Sequence, residues 1–292
     1  MKEGMLERLA RPLGGLWNGA ASVIGAFYRV LGMPGKLLQD FMNGSWLGHA
    51  LHAVIVDVVV GAATAVLLLD VLRIFFGVEA LEIAALWIVG LTLLAGVGAI
   101  LTGLTDFKDT ATGDQRNATG LHGLVNFVGS SAFAVSLLQR LGGNHDAGFW
   151  AFLVGYLLIS IGSYIGGHVV FKYGYMVNFN AFARGKRAKA FTPCMPAAEL
   201  PEGVPTRAAF GSTAVVLVRR GDVVHALKDT CSHAGGPLSE GELKGDTIIC
   251  PWHQSAFRLA DGSVVHGPAG TRQVSYRARI SGDQVELQGP YA

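Results

Sequence analysis

Four apolar stretches, at about 51–74, 81–104, 119–141 and 148–171, dominate the first 175 residues of the chain and constrain it most. As helices, each reaches across a hydrocarbon core of about 30 Å, and in lipid only a helix or a closed barrel satisfies every backbone group. Composition agrees: of 292 residues 51% are hydrophobic and only 15% charged, with the apolar excess lying ahead of residue 175. Short connections make neighbouring helices antiparallel, so residues 46–175 are expected to form an up-down bundle of four transmembrane helices. Gly96, Gly98, Gly162 and Gly166 permit close helix contact. No internal repeat stands out along the chain.

An even number of crossings leaves both flanks on one side. Lys2, Arg8, Arg11, Arg29, Lys36, Lys108, Arg116, Lys172, Arg184, Lys186, Arg187 and Lys189 fall on that side, against Arg73 and Arg140 on the other. The positive-inside rule makes that side cytoplasmic and the chain a multi-pass protein of the cell inner (plasma) membrane, in contact with the lipid bilayer. Residues 1–45 lack the shape of a signal peptide. Their apolar positions, from Leu13, Leu16 and Trp17 to Val30 and Leu31, follow one helical face, so they read as an amphipathic interfacial segment interrupted by glycines and Pro34. Residues 176–190 form a basic linker whose run from Arg184 to Lys189 faces headgroups. A net charge of +2 gives no reason to expect nucleic acid as a partner.

Beyond the linker, short β-rich runs at Ala214–Arg219, Val223–Leu227, Thr247–Cys250, Val274–Ile280 and Val285–Leu287 alternate with Gly and Asp. They predict a soluble all-β domain over 191–292, with the stretch ending at Phe210 left irregular. Within it, Cys231-x-His233 and, after sixteen intervening residues, Cys250-x-x-His253 supply one thiolate and one imidazole per loop. A zinc finger usually groups its cysteines apart from its histidines. The mixed pairs suit a [2Fe-2S] cluster with both thiolates on one iron and both imidazoles on the other, and structural zinc remains the alternative. The third cysteine, Cys194, reads as a packing residue at the start of a strand.

The surroundings, Cys231-Ser-His-Ala-Gly-Gly-Pro-Leu, Cys250-Pro-Trp-His and Gly267-Pro-Ala, closely resemble the two cluster loops and the proline loop of Rieske ferredoxins, from about residue 191 to the end. The resemblance implies a Rieske [2Fe-2S] cluster on Cys231, His233, Cys250 and His253, with the imidazoles as points of electron exit. It also implies a potential low in the Rieske range. Gly236 and Trp252 stand where respiratory relatives carry a loop disulfide, and Phe257 replaces the tyrosine that accompanies the serine matched by Ser255. Gln254 departs from the usual glycine.

Histidines inside a bilayer are costly and tend to be functional. His49 and His52 at the start of the first span, His122 near the start of the third and His168 near the end of the fourth share one side, leaving His145 on the other. His122, Asn126 and Ser130 form one polar stripe, and Ser160, Tyr164 and His168 another; both are expected to face the bundle interior. Three readings stay open: a haem b ligated by His52 with His122 or His168, another metal chelated by a site containing His49 and His52, or interfacial imidazoles bonded to backbone, headgroups, Asp57, Asp106 or Asp109. Asn43-Gly-Ser-Trp-Leu-Gly-His-Ala-Leu-His-Ala, with Asp57, Gly61, Arg116, His122, Asn126 and Gly166-Gly-His, resembles an uncharacterised bacterial four-helix membrane domain often fused to Rieske modules, although Ala50, Ala53 and Val59 stand where prolines are expected.

Together these features predict a membrane-anchored electron-transfer protein. It would pass single electrons between a cytoplasmic-side cluster and a membrane cofactor, a quinone or a partner oxidoreductase. The alternative is a redox sensor or assembly scaffold, with the bundle as an anchor and a surface for homo-oligomer formation. A complete Rieske oxygenase is not expected, because no soluble catalytic domain remains to hold a mononuclear iron.

Overall fold

The computed structural model describes residues 5–181 and 188–291. Lys2 and the basic positions Arg184, Lys186 and Arg187 lie outside the described residues. The chain divides into two compact units: one runs to Gly35 and resumes over Ala50–Tyr175, and the other combines Lys36–His49 with the chain from Met176 onward.

The first unit is helical. After α1 (Met5–Ala10) and α2 (Gly14–Val30) come the four helices long and apolar enough to cross a membrane: α4 (Leu51–Phe76), α5 (Leu81–Phe107), α6 (Asp114–Leu141) and α7 (His145–Tyr173). Between α2 and α4 lies α3 (Gly32–Asn43). Helices α4 and α7 stop at Gly77 and Gly174, whose φ of 67° and 65° a side chain would resist. Helix α6 begins before its apolar stretch, because Asp114 in the first turn complements the helix dipole. Helix α2 packs one edge on the bundle: the Trp17 indole covers Gly120, and the Tyr28 hydroxyl meets Thr105 Oγ1 at 2.7 Å. Its Leu16, Val23 and Val30 stay exposed.

Contrary to the sequence expectation, the bundle contains a repeat. Helix α4 buries Val59, Ala63, Val66 and Asp70, and α6 buries Gly129, Phe133, Ser136 and Arg140. Each follows its counterpart by the 70 residues that separate Asp70 from Arg140. Likewise Ala85, Val89, Thr92 and Gly96 of α5 answer at one constant separation to Gly148, Phe152, Gly155 and Ile159 of α7. The hairpins α4–α5 and α6–α7 are therefore two copies of one motif. The repeat escapes the eye because it lies in the spacing of the inward positions, which carry different residues in the two hairpins. Matched residues that touch each other lie on the pseudo-two-fold axis. Asp70 and Arg140 do so, wholly buried, with Arg140 Nη1 donating to Asp70 Oδ1 at 2.9 Å.

The second polar stripe is also corrected. Ser160 and Tyr164 point outward, Tyr164 being 71% exposed, and Ser160 Oγ is turned back onto Tyr156 O. The face of α7 that packs inward instead carries Gly148, Gly155 and Gly162 interleaved with Phe152, Ile159 and Ile165.

The second unit is built on strands β1 (Ala188–Pro196), β2 (Thr206–Phe210), β3 (Thr213–Arg220), β4 (Val223–Lys228), β5 (Glu242–Lys244), β6 (Thr247–Ile249), β7 (Ala256–Arg258), β8 (Val264–His266), β9 (Ser275–Ser281) and β10 (Gln284–Tyr291). They form an antiparallel six-stranded sheet ordered β1-β10-β9-β4-β3-β2 and a four-stranded sheet ordered β5-β6-β7-β8. Strand β3 reads as a continuous apolar run because both its faces are covered. Val215 and Leu217 join a core with Leu200, Val285 and Leu287, while Val216 and Val218 join Cys231, Cys250 and Phe257. Two expectations change: β2 lies within the stretch read as irregular, and Cys194 sits half-buried late in β1 rather than at a strand start.

Candidate metal centre

The first loop leaves β4 and the second leaves β6, so each thiol stands just past the end of a strand. Both loops fold back on their cysteine. Cys231 N–H donates to Gly236 O and Gly235 N–H to Cys231 O; Cys250 N–H donates to Ser255 O and Gln254 N–H to Cys250 O. Such turns aim the N–H groups of His233 and Ala234 at the Cys231 sulfur, and those of Trp252 and His253 at Cys250. The two thiols lie in hydrogen-bonding contact, which pushes Cys231 upward and lowers Cys250 to about 7, burial opposing the latter. One of the pair thus holds a negative charge readily, as a metal-bound thiolate must.

The imidazoles of His233 and His253 stand with ring centres 5.0 Å apart and planes at 88°. An imidazole nitrogen binds a metal at about 2.0 Å and lies about 1.1 Å from its ring centre, so two rings on one tetrahedral metal have centres about 5 Å apart. Among the described residues no three His, Cys, Asp or Glu side chains converge on one point. A single zinc ion would need all four ligands to do so. A two-iron cluster, taking two thiolates on one metal and two imidazoles on the other, does not. The residues therefore fit a [2Fe-2S] cluster better than zinc.

Position 236 has no room for a side chain beside the thiols. A Cβ on Gly236 would come within 2.8 Å of Cys250 Sγ and 3.0 Å of the Trp252 ring, so Trp252 and Gly236 fill the space between the loops. Gln254 accepts the φ of 64° for which glycine is the usual choice. Ser255 Oγ accepts from Ala269 N–H at 3.1 Å, tying the second loop to the proline loop, while Phe257 is wholly buried and offers no hydroxyl. His253 is half-buried beside the exposed Trp252, whereas His233 is buried, so only one imidazole reaches the surface.

Sequence reasoning missed the residues that brace these loops. Gln273, wholly buried, accepts from Ser232 N–H at 3.1 Å and from Asn180 Nδ2 at 3.0 Å, and donates to the carbonyls of Lys228 and Thr230. Asp40 bonds His266 Nδ1 at 2.7 Å and accepts from Gly267 N–H at 2.8 Å, while Ser45 Oγ donates to Gly267 O at 2.8 Å. The stretch Lys36–His49 thereby belongs with the β unit and holds its proline loop. A glutamine in a β-rich run and an aspartate more than two hundred residues away carry no local signal.

Of the four membrane histidines, His52 and His122 are brought together, with ring centres 6.3 Å apart and planes at 84°. His168 lies edge-on to Tyr173 at 5.7 Å, and His49 belongs to the other unit. His52 Nδ1 bonds Ala99 O at 2.9 Å and His122 Nδ1 bonds Gly162 O at 2.8 Å, both backbone carbonyls.

Residues 190–277 match the family of the Rieske [2Fe-2S] domain, and residues 48–178 match one described as a predicted membrane protein, DUF2231. Among curated proteins, the ferredoxin CarAc of Metapseudomonas resinovorans is 33% identical over 79 residues, covering 27% of this chain and 74% of that protein. The 3-phenylpropionate/cinnamic acid dioxygenase ferredoxin subunit of Escherichia coli (strain K12) is 33% identical over 98 residues, covering 33% of this chain and 92% of the subunit. The solved ferredoxin of carbazole 1,9a-dioxygenase from Nocardioides aromaticivorans IC177 is 26% identical, with a TM-score of 0.33, over 35% of this chain and 99% of that one.

Proposed function

The chain belongs to the Rieske [2Fe-2S] family, with a DUF2231 membrane domain ahead of its cluster domain, and we propose that it is a membrane-anchored carrier of single electrons whose cluster is held by Cys231, His233, Cys250 and His253. The observation that carries this reading is the convergence of two thiols in hydrogen-bonding contact and two imidazoles 5.0 Å apart at the tips of adjoining loops. The bound cluster supplies a one-electron centre, with family potentials of roughly −150 to +300 mV. The residues set the place within that range. Backbone N–H groups aimed at both sulfurs stabilise added negative charge, and the Ser255 hydroxyl, which accepts from Ala269 N–H, keeps its own hydrogen to donate. The missing disulfide at Gly236 and Trp252 and the missing hydroxyl at Phe257 hold the potential low.

Electrons leave by the half-exposed edge of His253, flanked by Trp252, rather than by both imidazoles. The acceptor or donor is a separate oxidoreductase, as for the ferredoxin subunits of dioxygenases that the cluster domain is similar to, or a quinone, or a membrane cofactor held by His52 and His122. The cluster domain lies on the cytoplasmic side of the inner membrane. Supporting this, the Lys and Arg residues of the flanks and of the α5–α6 connection outnumber Arg73 and Arg140 on the opposite side.

The test is elemental and spectroscopic. Purified full-length protein should contain two irons and two acid-labile sulfides per chain with a Rieske electron paramagnetic resonance signal. Stoichiometric zinc without iron overturns the assignment. Reporter fusions at the C-terminus that are active only outside the inner membrane overturn the orientation.

A further inference from the structure

His52 and His122 occupy equivalent positions of the two hairpin copies, separated by the same 70 residues as Asp70 and Arg140. Their surroundings are repeated in the backbone and glycine contacts, while Thr102 lies beside His52 and Asn126 beside His122 without a counterpart in the other copy. Each ring rests on a glycine of the partner helix in its own hairpin: a Cβ on Gly103 would come within 2.9 Å of His52 Cε1, and one on Gly166 within 2.8 Å of His122 Cε1. Each Nδ1 is bonded to the carbonyl one turn before that glycine, Ala99 or Gly162. A carbonyl oxygen only accepts, so Nδ1 carries the hydrogen in both rings and Nε2 holds the lone pair, which in His122 has the Asn126 amide 3.5 Å away as a neighbour that a ligand would displace. This is how a metal-binding imidazole is usually held by its other nitrogen.

The spacing then says how a metal would be shared. Rings on opposite faces of one metal have centres about 6.2 Å apart, and rings at a tetrahedral angle about 5 Å. His52 and His122 stand at 6.3 Å. No third His, Cys, Asp or Glu among the described residues joins them. Two imidazole nitrogens cannot by themselves satisfy an iron that prefers more ligands, so the remaining positions must come from the ligand itself. A tetrapyrrole supplies four in one plane. The hairpins pack more closely within themselves than against each other, and the seam between them is where the pair lies.

The geometry points to a b-type haem on the pseudo-two-fold axis of the membrane domain, bound by Nε2 of His52 and Nε2 of His122, one axial ligand from each copy of the duplicated hairpin. This inference rests on the reading of the chain as an electron carrier, for which it names the membrane cofactor. Full-length protein produced with ample haem and purified in detergent should carry one haem per chain with a low-spin, bis-imidazole spectrum. His52→Ala and His122→Ala should each lower bound haem at least tenfold and by similar amounts, since the sites are equivalent, while His168→Ala leaves it unchanged. To guard against misfolding, His122→Met should retain haem with a spectrum shifted to mixed imidazole and thioether ligation. Haem absent after haem supply, copper found in its place, or haem surviving both alanine substitutions overturns the inference. The iron–sulfur signal is scored separately: its loss with haem present sinks the cluster assignment alone, and its survival without haem sinks the haem alone.

Discussion

The molecule holds two perpendicular pairs of imidazoles, and they differ in the way that matters for metal chemistry. His233 and His253 stand on loops at 5.0 Å, with two cysteines beside them; His52 and His122 stand on helices at 6.3 Å, with no further ligand among the described residues. The first spacing suits two ligands on one side of a metal, the second two ligands across it. The supports differ too. Loops shape their site through side-chain hydrogen bonds, Gln273 to the backbone of Lys228, Thr230 and Ser232 and Asp40 to His266 and the backbone of Gly267. Helices do it by symmetry, placing equivalent residues opposite one another and shaving the facing positions to glycine.

The largest effect expected is also the cleanest way to break the comparison. His253→Ala should abolish the Rieske resonance signal altogether while leaving the membrane domain folded and its histidine pair undisturbed. A variant that loses both cofactors together would show that the two pairs do not form independently, measured by resonance and absorption on the same sample.

The symmetric side is tested at the other end of the axis. Arg140→Ala strands the buried Asp70 carboxylate and should destabilise the bundle by about 3–5 kcal/mol. Exchanging the pair as Asp70→Arg with Arg140→Asp should restore at least half of that, because the hairpins present equivalent positions. Thermal unfolding in detergent reads both, and a swap no better than the single variant would argue against a true duplication.

On the loop side, Asp40→Ala removes two bonds to the proline loop and should cost about 1–3 kcal/mol. The expected reading is earlier loss of the cluster's visible absorption on heating, with the helical signal unchanged.

The smallest effect concerns potential alone. Phe257→Tyr adds a hydroxyl beside the sulfurs and should raise the midpoint by about 40 mV, equivalent for one electron to about 1 kcal/mol of preference for the reduced state. Ser255→Ala should lower it by a similar amount, both read by redox titration. A wild-type midpoint near the top of the family range would contradict the account of the missing hydroxyl.

By itself the sequence determined the local parts. Apolar runs of spanning length declared four helices, because in lipid the backbone has no other partner, and thiolate–imidazole pairs in two short loops declared the cluster, because ligand type and spacing are chemical constraints that survive without a fold. The β-rich runs were legible at β3, β4, β6, β9 and β10, whereas β2 was read as irregular, and β5, β7, β8 and, but for Cys194, β1 were not read as strands. Tertiary structure decided which separate pieces meet. Helical periodicity offered His122 and His168 equally to His52, and only packing chose: α7 turns its glycines inward and Tyr164 outward, which carries His168 away from the pair. The duplication was hidden for the same reason, since it is kept in the spacing of the positions that touch and not in the residues they carry. Lys36–His49 joins the β unit through Asp40 and Ser45, contacts between residues more than two hundred positions apart that no local pattern specifies, because they depend on where the chain has already been brought together.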